Sequence, residues 1–329
     1  MPEAERAQEN APAPPEREAI AGCLLGGAVG DALGLPYEGL TRRRAARLLG
    51  PAVRHRFLLG RGMISDDTEH AIFTAQALIA AHGRPELFER RLARSLRWWL
   101  ASVPAGVGFA TLRSILKLWI GFPPSRSGVF SAGNGPAMRS PLLGVACGGG
   151  EARLREFVLR STRMTHSDPR AYHAALAAAV AARLSATGAS LTADSYLAAA
   201  QSALAGQPCG ELMALLAKAA ASAQRGDPLQ VFAESIGCGQ GVSGCILHTV
   251  PCVVQVWLRR ATDFGGAMTE MISAGGDADT TAAILGAIIG ARVGRAGIPP
   301  QWLSGLNEWP HNAAWLERLA QRLHDSLRG

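Results

Sequence analysis

Two short segments of this 329-residue chain carry clusters of oxygen-bearing side chains. Residues 65–68 read Ser-Asp-Asp-Thr, and residues 277–281 read Asp-Ala-Asp-Thr-Thr. Each cluster stands directly before an apolar, alanine-rich run that is typical of a helix. One side-chain oxygen is enough to cap a helix N-terminus. Two carboxylates and a hydroxyl in each segment therefore exceed the needs of capping.

If the two clusters meet in space, four carboxylates and several hydroxyls share one site. Like charges that close stay ionised together only when a cation lies between them. Magnesium, manganese and calcium all accept shells made of oxygen ligands. The alternative is that Asp66 and Asp279 are ordinary acids at the positive end of a helix dipole. The surplus of acid in both segments favours the metal site.

A third candidate is the loop at residues 131–136, which reads Ser-Ala-Gly-Asn-Gly-Pro. Glycines allow a ligand to approach the backbone, and a following helix start offers free N–H groups to an anion. Pro136 suits the first position of such a helix. The loop is thus predicted to hold a diphosphate, with a plain capped helix as the alternative. Nearby, Arg139 either adds positive charge or pairs with a carboxylate, and His166 stands directly before a predicted helix, either as a ligand contact or as a structural residue.

The elements that must position these residues are predicted to be helices. β-Branched alternation is missing over any useful length, so the fold is predicted to be all-α. Residues 1–15 are rich in Pro, Ala and Glu and are expected to form a disordered arm. Residues 16–329 are expected to form one domain. Four glycines at a spacing of four, Gly22, Gly26, Gly30 and Gly34, indicate very close helix packing or a close ligand.

Composition limits the possible partners and the compartment. The formal net charge is +7, but the basic runs are short and are not interleaved with aromatic residues, so no nucleic-acid groove is expected. No apolar stretch is expected to reach the length that spans a membrane, and no membrane partner is expected. The six cysteines form no C-x-x-C pair, and no signal peptide is evident. These features favour a reducing, cytoplasmic location.

Five motifs in order carry a resemblance to a known family. They are Gly-Gly-Ala-Val-Gly-Asp from residue 26 with Glu38 after it, Ser-Asp-Asp-Thr at 65–68, Gly-Asn-Gly-Pro-Ala-Met-Arg at 133–139, Thr-His at 165–166, and Gly-Gly-Asp-Ala-Asp-Thr at 275–280. Together they resemble the ADP-ribosylglycohydrolase family, most closely its arginine-directed bacterial branch. The motifs extend over nearly the whole chain, from about residue 20 to residue 295.

The resemblance implies a compact orthogonal all-α fold with two divalent cations, Mg²⁺ or Mn²⁺. It implies as metal ligands Ser65, Asp66, Asp67, Asp277, Asp279 and Thr280. It implies as substrate-binding residues Ser131, Ala132, Gly133, Asn134, Gly135, Met138 and His166. Asp67 and Glu38 are the two candidates for the catalytic carboxylate that moves a proton.

The activity implied by the resemblance is removal of ADP-ribose from a modified protein side chain. The bond cut is the glycosidic bond at C1 of the distal ribose, and ADP-ribosyl-arginine is the expected linkage. The partner is then an ADP-ribosylated protein, and ADP-ribose is the product. Three alternatives stay open: a hydrolase of serine-linked or other O-linked ADP-ribose, a non-catalytic ADP-ribose-binding or structural relative, and a metal-dependent phosphoesterase.

Overall fold

The computed structural model describes residues 16–328, apart from residues 105, 148, 149, 189 and 308. The expected disordered arm, residues 1–15, lies outside the described residues. Within the described part, the chain forms seventeen α-helices and one short pair of strands. The prediction of an all-α fold is therefore confirmed.

The helices, in chain order, are α1 Glu16–Gly34, α2 Arg42–Leu48, α3 Asp66–Ala81, α4 Pro85–Ala101, α5 Phe109–Trp119, α6 Pro124–Ser127, α7 Gly135–Ala146, α8 Glu151–Arg163, α9 Pro169–Thr187, α10 Ala193–Ala203, α11 Gly210–Gln224, α12 Leu229–Ser235, α13 Ile246–Arg260, α14 Phe264–Ser273, α15 Ala278–Val293, α16 Pro300–Gly305 and α17 Ala313–Arg328. Two-residue strands, β1 Leu40–Thr41 and β2 Gly275–Gly276, pair antiparallel, with Leu40 opposite Gly276.

Helices α1 and α15 form the centre of the molecule, and their backbones approach very closely. A Cβ atom added at Gly26 would lie 2.2 Å from the carbonyl oxygen of Gly286, and one at Gly22 would lie 2.0 Å from that of Gly290. No side chain fits in that space, so the glycine stripe on α1 is explained by helix packing. The contact fixes the start of α15, where the second acidic cluster lies.

The segment Arg17–Tyr37 is long and apolar enough, by length and composition, to cross a membrane. The expectation that no stretch reaches that length was therefore wrong. However, 83% of its most apolar window is buried inside the protein, where it forms α1 and the turn after it. Its apolar character is accounted for by its place in the core, since a helix that is hydrophobic on all sides is typical of a protein centre.

Asp31 of α1 ties the first acidic cluster to this centre. Its carboxylate is fully buried, and its Oδ2 accepts hydrogen bonds from the backbone N–H groups of Ser65 at 2.9 Å and Thr68 at 3.2 Å. These groups lie at the N-terminus of α3, where free N–H donors need acceptors. Asp31 thus acts as a cap from a neighbouring helix and holds the start of α3 against α1.

Candidate active site

The two acidic clusters meet at a cavity of about 500 Å³. The start of α3 forms one wall, the start of α15 forms another, and the loop before α7 forms a third. Of the residues predicted for the site, those that line the cavity are Glu38, Asp66, Ser131, Gly133, Asn134, Gly135, Met138, His166, Asp277, Asp279 and Thr280. The predicted residues that do not line it are Ser65, Asp67 and Ala132.

A direct hydrogen bond joins the clusters across 213 positions of sequence. The hydroxyl of Thr280 donates to Oδ2 of Asp67 over 3.0 Å, and the hydroxyl of Ser65 donates to the same oxygen over 3.3 Å. Asp67 itself is almost fully buried, with 2% of its surface exposed. It therefore lies behind the cavity wall, where it orients two hydroxyls.

Asn134 connects the predicted diphosphate loop to the second acidic cluster. Its side-chain amide donates to Oδ2 of Asp277 over 2.6 Å and to the hydroxyl of Thr249 over 3.0 Å. Its backbone N–H donates to the carbonyl of Gly244 over 3.0 Å. Asn134 thus holds Asp277 in place through its side chain, and it anchors the residue 131–136 loop beside the cavity through its backbone.

The carboxylates strongly affect one another's ionisation. Burial, and then nearby carboxylates, raise the pKa of Asp66 to about 8 and that of Asp279 to about 9. The same causes raise the pKa of Asp67 well above its usual range. Partial burial, followed by the charge of Asp277, raises the pKa of Glu38. Without a counter-charge, this cluster is therefore held partly protonated near neutral pH.

The chemistry of the donors fits hard divalent cations. Among the described residues, Oδ1 of Asp67 and Oδ1 of Asp279 are buried and have no hydrogen-bond partner. An unpaired buried carboxylate oxygen is costly, and a bound cation would satisfy it. Among the residues that the structure describes, however, no group of three or more Asp, Glu, His or Cys side chains is arranged so that it could hold a metal ion. The metal site therefore stays a prediction, supported by the two unpartnered carboxylate oxygens.

Gly133 of the loop before α7 and Gly135 at the start of α7 line the cavity and pack against the ring of His166. A Cβ atom on Gly133 would lie 3.0 Å from Nε2 of His166, and one on Gly135 would lie 3.1 Å from Cε1 of the same ring. The predicted helix start is confirmed, because α7 begins at Gly135 with a proline in its first turn. Ala132 does not line the cavity, and its carbonyl accepts a hydrogen bond from the N–H of Ile246 over 2.8 Å.

Arg139 adds positive charge behind the site, and this charge acts on Asp66, but its hydrogen bonds go to uncharged groups. Its side chain is fully buried beneath the cavity, and it hydrogen-bonds to Ser161, Thr165 and His70. Each of these partners offers an uncharged acceptor. Burial lowers the pKa of Arg139 to about 10, which still leaves the guanidinium charged at neutral pH.

Sequence reasoning missed one side of the cavity, which the loop into α5 provides. The lining residues that were not predicted are Gly39, Gly106, Gly108, Phe109, Ala110, Thr111 and Gly276. Most of them are glycines or apolar residues. Such residue types do not indicate catalysis or ligand binding, so the sequence alone could not identify them as part of the site. Only the glycines at 106 and 108 marked this segment as a loop.

Comparisons with known proteins identify the family of this chain. The family model described as ADP-ribosylglycohydrolase matches residues 12–329. The chain belongs to the ADP-ribosylglycohydrolase family. It is 32% identical over 318 residues to an uncharacterized protein of Archaeoglobus fulgidus, with 94% of this chain and 96% of that protein covered.

Two further similarities concern proteins whose names refer to ADP-ribose chemistry. The chain is 30% identical over 294 residues to the ADP-ribosyl-[dinitrogen reductase] glycohydrolase of Rhodospirillum rubrum, covering 87% of this chain and 89% of that protein. A solved ADP-ribosylglycohydrolase-related protein complex superposes with a TM-score of 0.65 at 26% identity, covering 94% of this chain and 98% of that one. Membership of the family is consistent with a hydrolase that acts on ADP-ribose linkages.

Proposed function

We propose that this protein is a metal-dependent hydrolase that removes ADP-ribose from modified arginine side chains of proteins. The observation that carries the proposal is the meeting of both acidic clusters and the residue 131–135 loop at one cavity. An acidic wall suits a ribose and a cationic guanidinium, while the glycine loop and helix start suit a diphosphate. The similarity to a glycohydrolase of ADP-ribosyl-dinitrogen reductase supports removal of ADP-ribose from a modified protein.

Glu38 is proposed as the group that transfers the proton. It lines the cavity from an exposed position between the turn after α1 and β1, so it can reach a bound substrate. Water attacks C1 of the distal ribose, its proton passes to the Glu38 carboxylate, and the bond to the guanidine nitrogen breaks. The protonated Glu38 then returns that proton to the leaving guanidine. Positioned proton transfer of this kind contributes roughly 100- to 10,000-fold to a rate.

Two divalent cations, Mg²⁺ or Mn²⁺, are proposed as cofactors. The residues that would hold them are Ser65, Asp66, Asp67, Asp277, Asp279 and Thr280. When bound, such ions orient ribose hydroxyls and lower the pKa of a ligated water. The unpartnered oxygens of Asp67 and Asp279 support this proposal. Asn134 would keep Asp277 in place through the hydrogen bond described above.

The linkage is tested by comparing release rates from two otherwise identical peptides, one ADP-ribosylated at Arg and the other at Ser. We expect faster release of ADP-ribose from the arginine conjugate, because a guanidinium is attracted to the acidic wall. Faster release from the serine conjugate would contradict the arginine assignment. Release from neither, with intact binding of ADP-ribose, would favour the non-catalytic alternative.

A cytoplasmic location is part of the same proposal. All six cysteines are free thiols in the structure, and four of them are buried. Unpaired, mostly buried thiols are typical of proteins in reducing compartments.

A further inference from the structure

Arg139 determines where the protons of its neighbours must lie. Its Nη2 donates to Oγ1 of Thr165 over 2.8 Å, and its Nη1 lies 3.1 Å from Nδ1 of His70. Nε and Nη2 also donate to the hydroxyl and carbonyl of Ser161, each over 3.0 Å. A guanidinium has donors and no acceptor. Every atom that it contacts in this way must therefore act as an acceptor towards it.

Thr165 passes this constraint on to His166. Its Oγ1 accepts from Arg139, and its own hydroxyl hydrogen has two acceptors within reach: Nδ1 of His166 at 3.0 Å and the carbonyl of Thr162 at 3.5 Å. That carbonyl already accepts the backbone N–H groups of Thr165 at 3.0 Å and His166 at 2.8 Å. Two donors occupy both lone pairs of a carbonyl oxygen. The hydroxyl hydrogen is left to Nδ1 of His166.

We infer that Arg139, acting through Thr165, fixes His166 as the neutral tautomer with its proton on Nε2. The cavity then contains a permanent, uncharged N–H donor beside Gly133. The ring is positioned for this, since Nε2 lies 3.0 Å from the place where a Cβ of Gly133 would stand. Arg139 and Thr165 are positioning residues, because neither lines the cavity. The acceptor would be an oxygen or nitrogen of the ADP moiety, and only this identity rests on the proposed function.

Electrostatics supports the uncharged form of His166. Its side chain is 3% exposed, and burial followed by the charge of Arg139 lowers its pKa to about 3. A charged imidazolium beside a buried guanidinium would be strongly disfavoured. A neutral imidazole can offer the cavity either a donor or an acceptor, depending on its tautomer. The hydroxyl of Thr165 selects the donor.

The tautomer is tested in the ligand-free, full-length protein by nitrogen-15 NMR of the histidine rings. We expect Nε2 of His166 to be protonated, and its Nδ1 to be unprotonated with the shift of a nitrogen that accepts a hydrogen bond. Thr165→Val removes only the hydroxyl and should move the Nδ1 signal towards that of a free ring nitrogen. Thr165→Ser should restore it. A protonated Nδ1 in the wild type, or an unchanged signal in Thr165→Val, would overturn the inference.

A matched control lies three residues away. Thr162 is also buried, and its hydroxyl has no hydrogen-bond partner among the described residues. Thr162→Val should therefore leave the His166 signals unchanged. Arg139→Met, checked for folding by circular dichroism, should shift the Nδ1 signal of His166 as Thr165→Val does. An unchanged signal would show that Arg139 does not influence the tautomer of His166. If Arg139→Met does not fold, the Thr165 and Thr162 variants decide the tautomer by themselves.

Calorimetry with ADP-ribose tests whether the Nε2–H of His166 donates a hydrogen bond to this ligand. A hydrogen bond of ordinary net strength predicts that Thr165→Val weakens binding roughly 5- to 15-fold. Thr165→Ser and Thr162→Val should bind as the wild type does. Equal affinity in Thr165→Val would mean that His166 does not donate to this ligand. If ADP-ribose binds none of these proteins while the NMR signature is as expected, the proposed function fails and the tautomer assignment stands.

Discussion

The carboxylates around the cavity differ in exposure, and this difference gives them different tasks. Glu38 is exposed at the rim, whereas Asp67 is buried and already accepts hydrogen bonds from Ser65 and Thr280. A buried carboxylate with two hydroxyls attached is suited to holding a fixed geometry. An exposed one on a turn can reach a substrate that binds from solution. This contrast supports the proposal that Glu38 transfers the proton and that Asp67 organises the site.

Glu38→Gln should slow release of ADP-ribose by roughly 100-fold or more, because the amide cannot accept or return a proton. Affinity for ADP-ribose should stay nearly the same, since the amide keeps the shape of the side chain. Steady-state release from an arginine-modified peptide, together with calorimetry, measures both quantities. Glu211→Gln is the control, because Glu211 is exposed on α11 away from the cavity. Full activity in Glu38→Gln would remove Glu38 from the mechanism.

Residue types predicted most of the polar side chains that line the cavity, but not how each one is placed. The surplus acid in both clusters indicated that they belong together, and the structure brings them together at one cavity. The position of Asp67 behind the wall depends on how α3 is rotated, which the local sequence does not specify. The bond between Asn134 and Asp277 spans 143 positions, so no local pattern contains it.

Packing of α1 against α15 sets the distance between the centre of the fold and the second acidic cluster. The glycine spacing on α1 predicted close packing correctly, because glycine in a helix interior is otherwise costly. The sequence did not predict in the same way that α15 is the helix against which α1 packs. Gly286 and Gly290 of α15 lie among alanines and isoleucines, and their spacing alone does not predict which helix they contact.

Gly26→Ala should destabilise the protein by about 1–3 kcal/mol, as is usual when atoms are forced into a packed core. The new Cβ would lie 2.2 Å from the carbonyl oxygen of Gly286, so one helix must shift. Urea unfolding followed by circular dichroism measures the free-energy change.

The neighbouring residue supplies a matched control for that experiment. A Cβ on Gly27 would meet the Cβ of Ala287 at 3.4 Å, which is ordinary contact. Gly27→Ala should therefore be neutral or stabilising by up to about 1 kcal/mol, because alanine favours the helix. Equal losses in Gly26→Ala and Gly27→Ala would show that close approach of the backbones is not what requires glycine.

The whole molecule brings segments more than 200 residues apart to one buried acidic site, and folding must overcome their mutual repulsion. Burial and neighbouring charges raise the pKa values of Asp66, Asp67 and Asp279. A ligand that binds only the folded state stabilises it in proportion to the logarithm of its concentration. A divalent cation between the clusters should therefore stabilise the whole fold.

Adding Mg²⁺ or Mn²⁺ after EDTA treatment should raise the melting temperature by several degrees. At about 100 times the dissociation constant, one bound ion contributes roughly 2.7 kcal/mol. Differential scanning calorimetry measures the shift. Asp277→Asn removes a ligand charge and should reduce the rise strongly, whereas Asp194→Asn, on the exposed start of α10, should not. The same rise in Asp277→Asn as in the wild type would contradict a metal site at these clusters.

The bond that the protein cleaves tests its proposed function most directly. An arginine-ADP-ribosylated protein is incubated with the enzyme and Mg²⁺ in heavy-oxygen water, and both products are identified by mass spectrometry. Glycosidic hydrolysis predicts free ADP-ribose that carries the heavy oxygen on its distal ribose, together with an unmodified arginine. Release of AMP with heavy oxygen on phosphate, and a phosphoribosyl group left on the arginine, would contradict the assignment and identify a phosphoesterase.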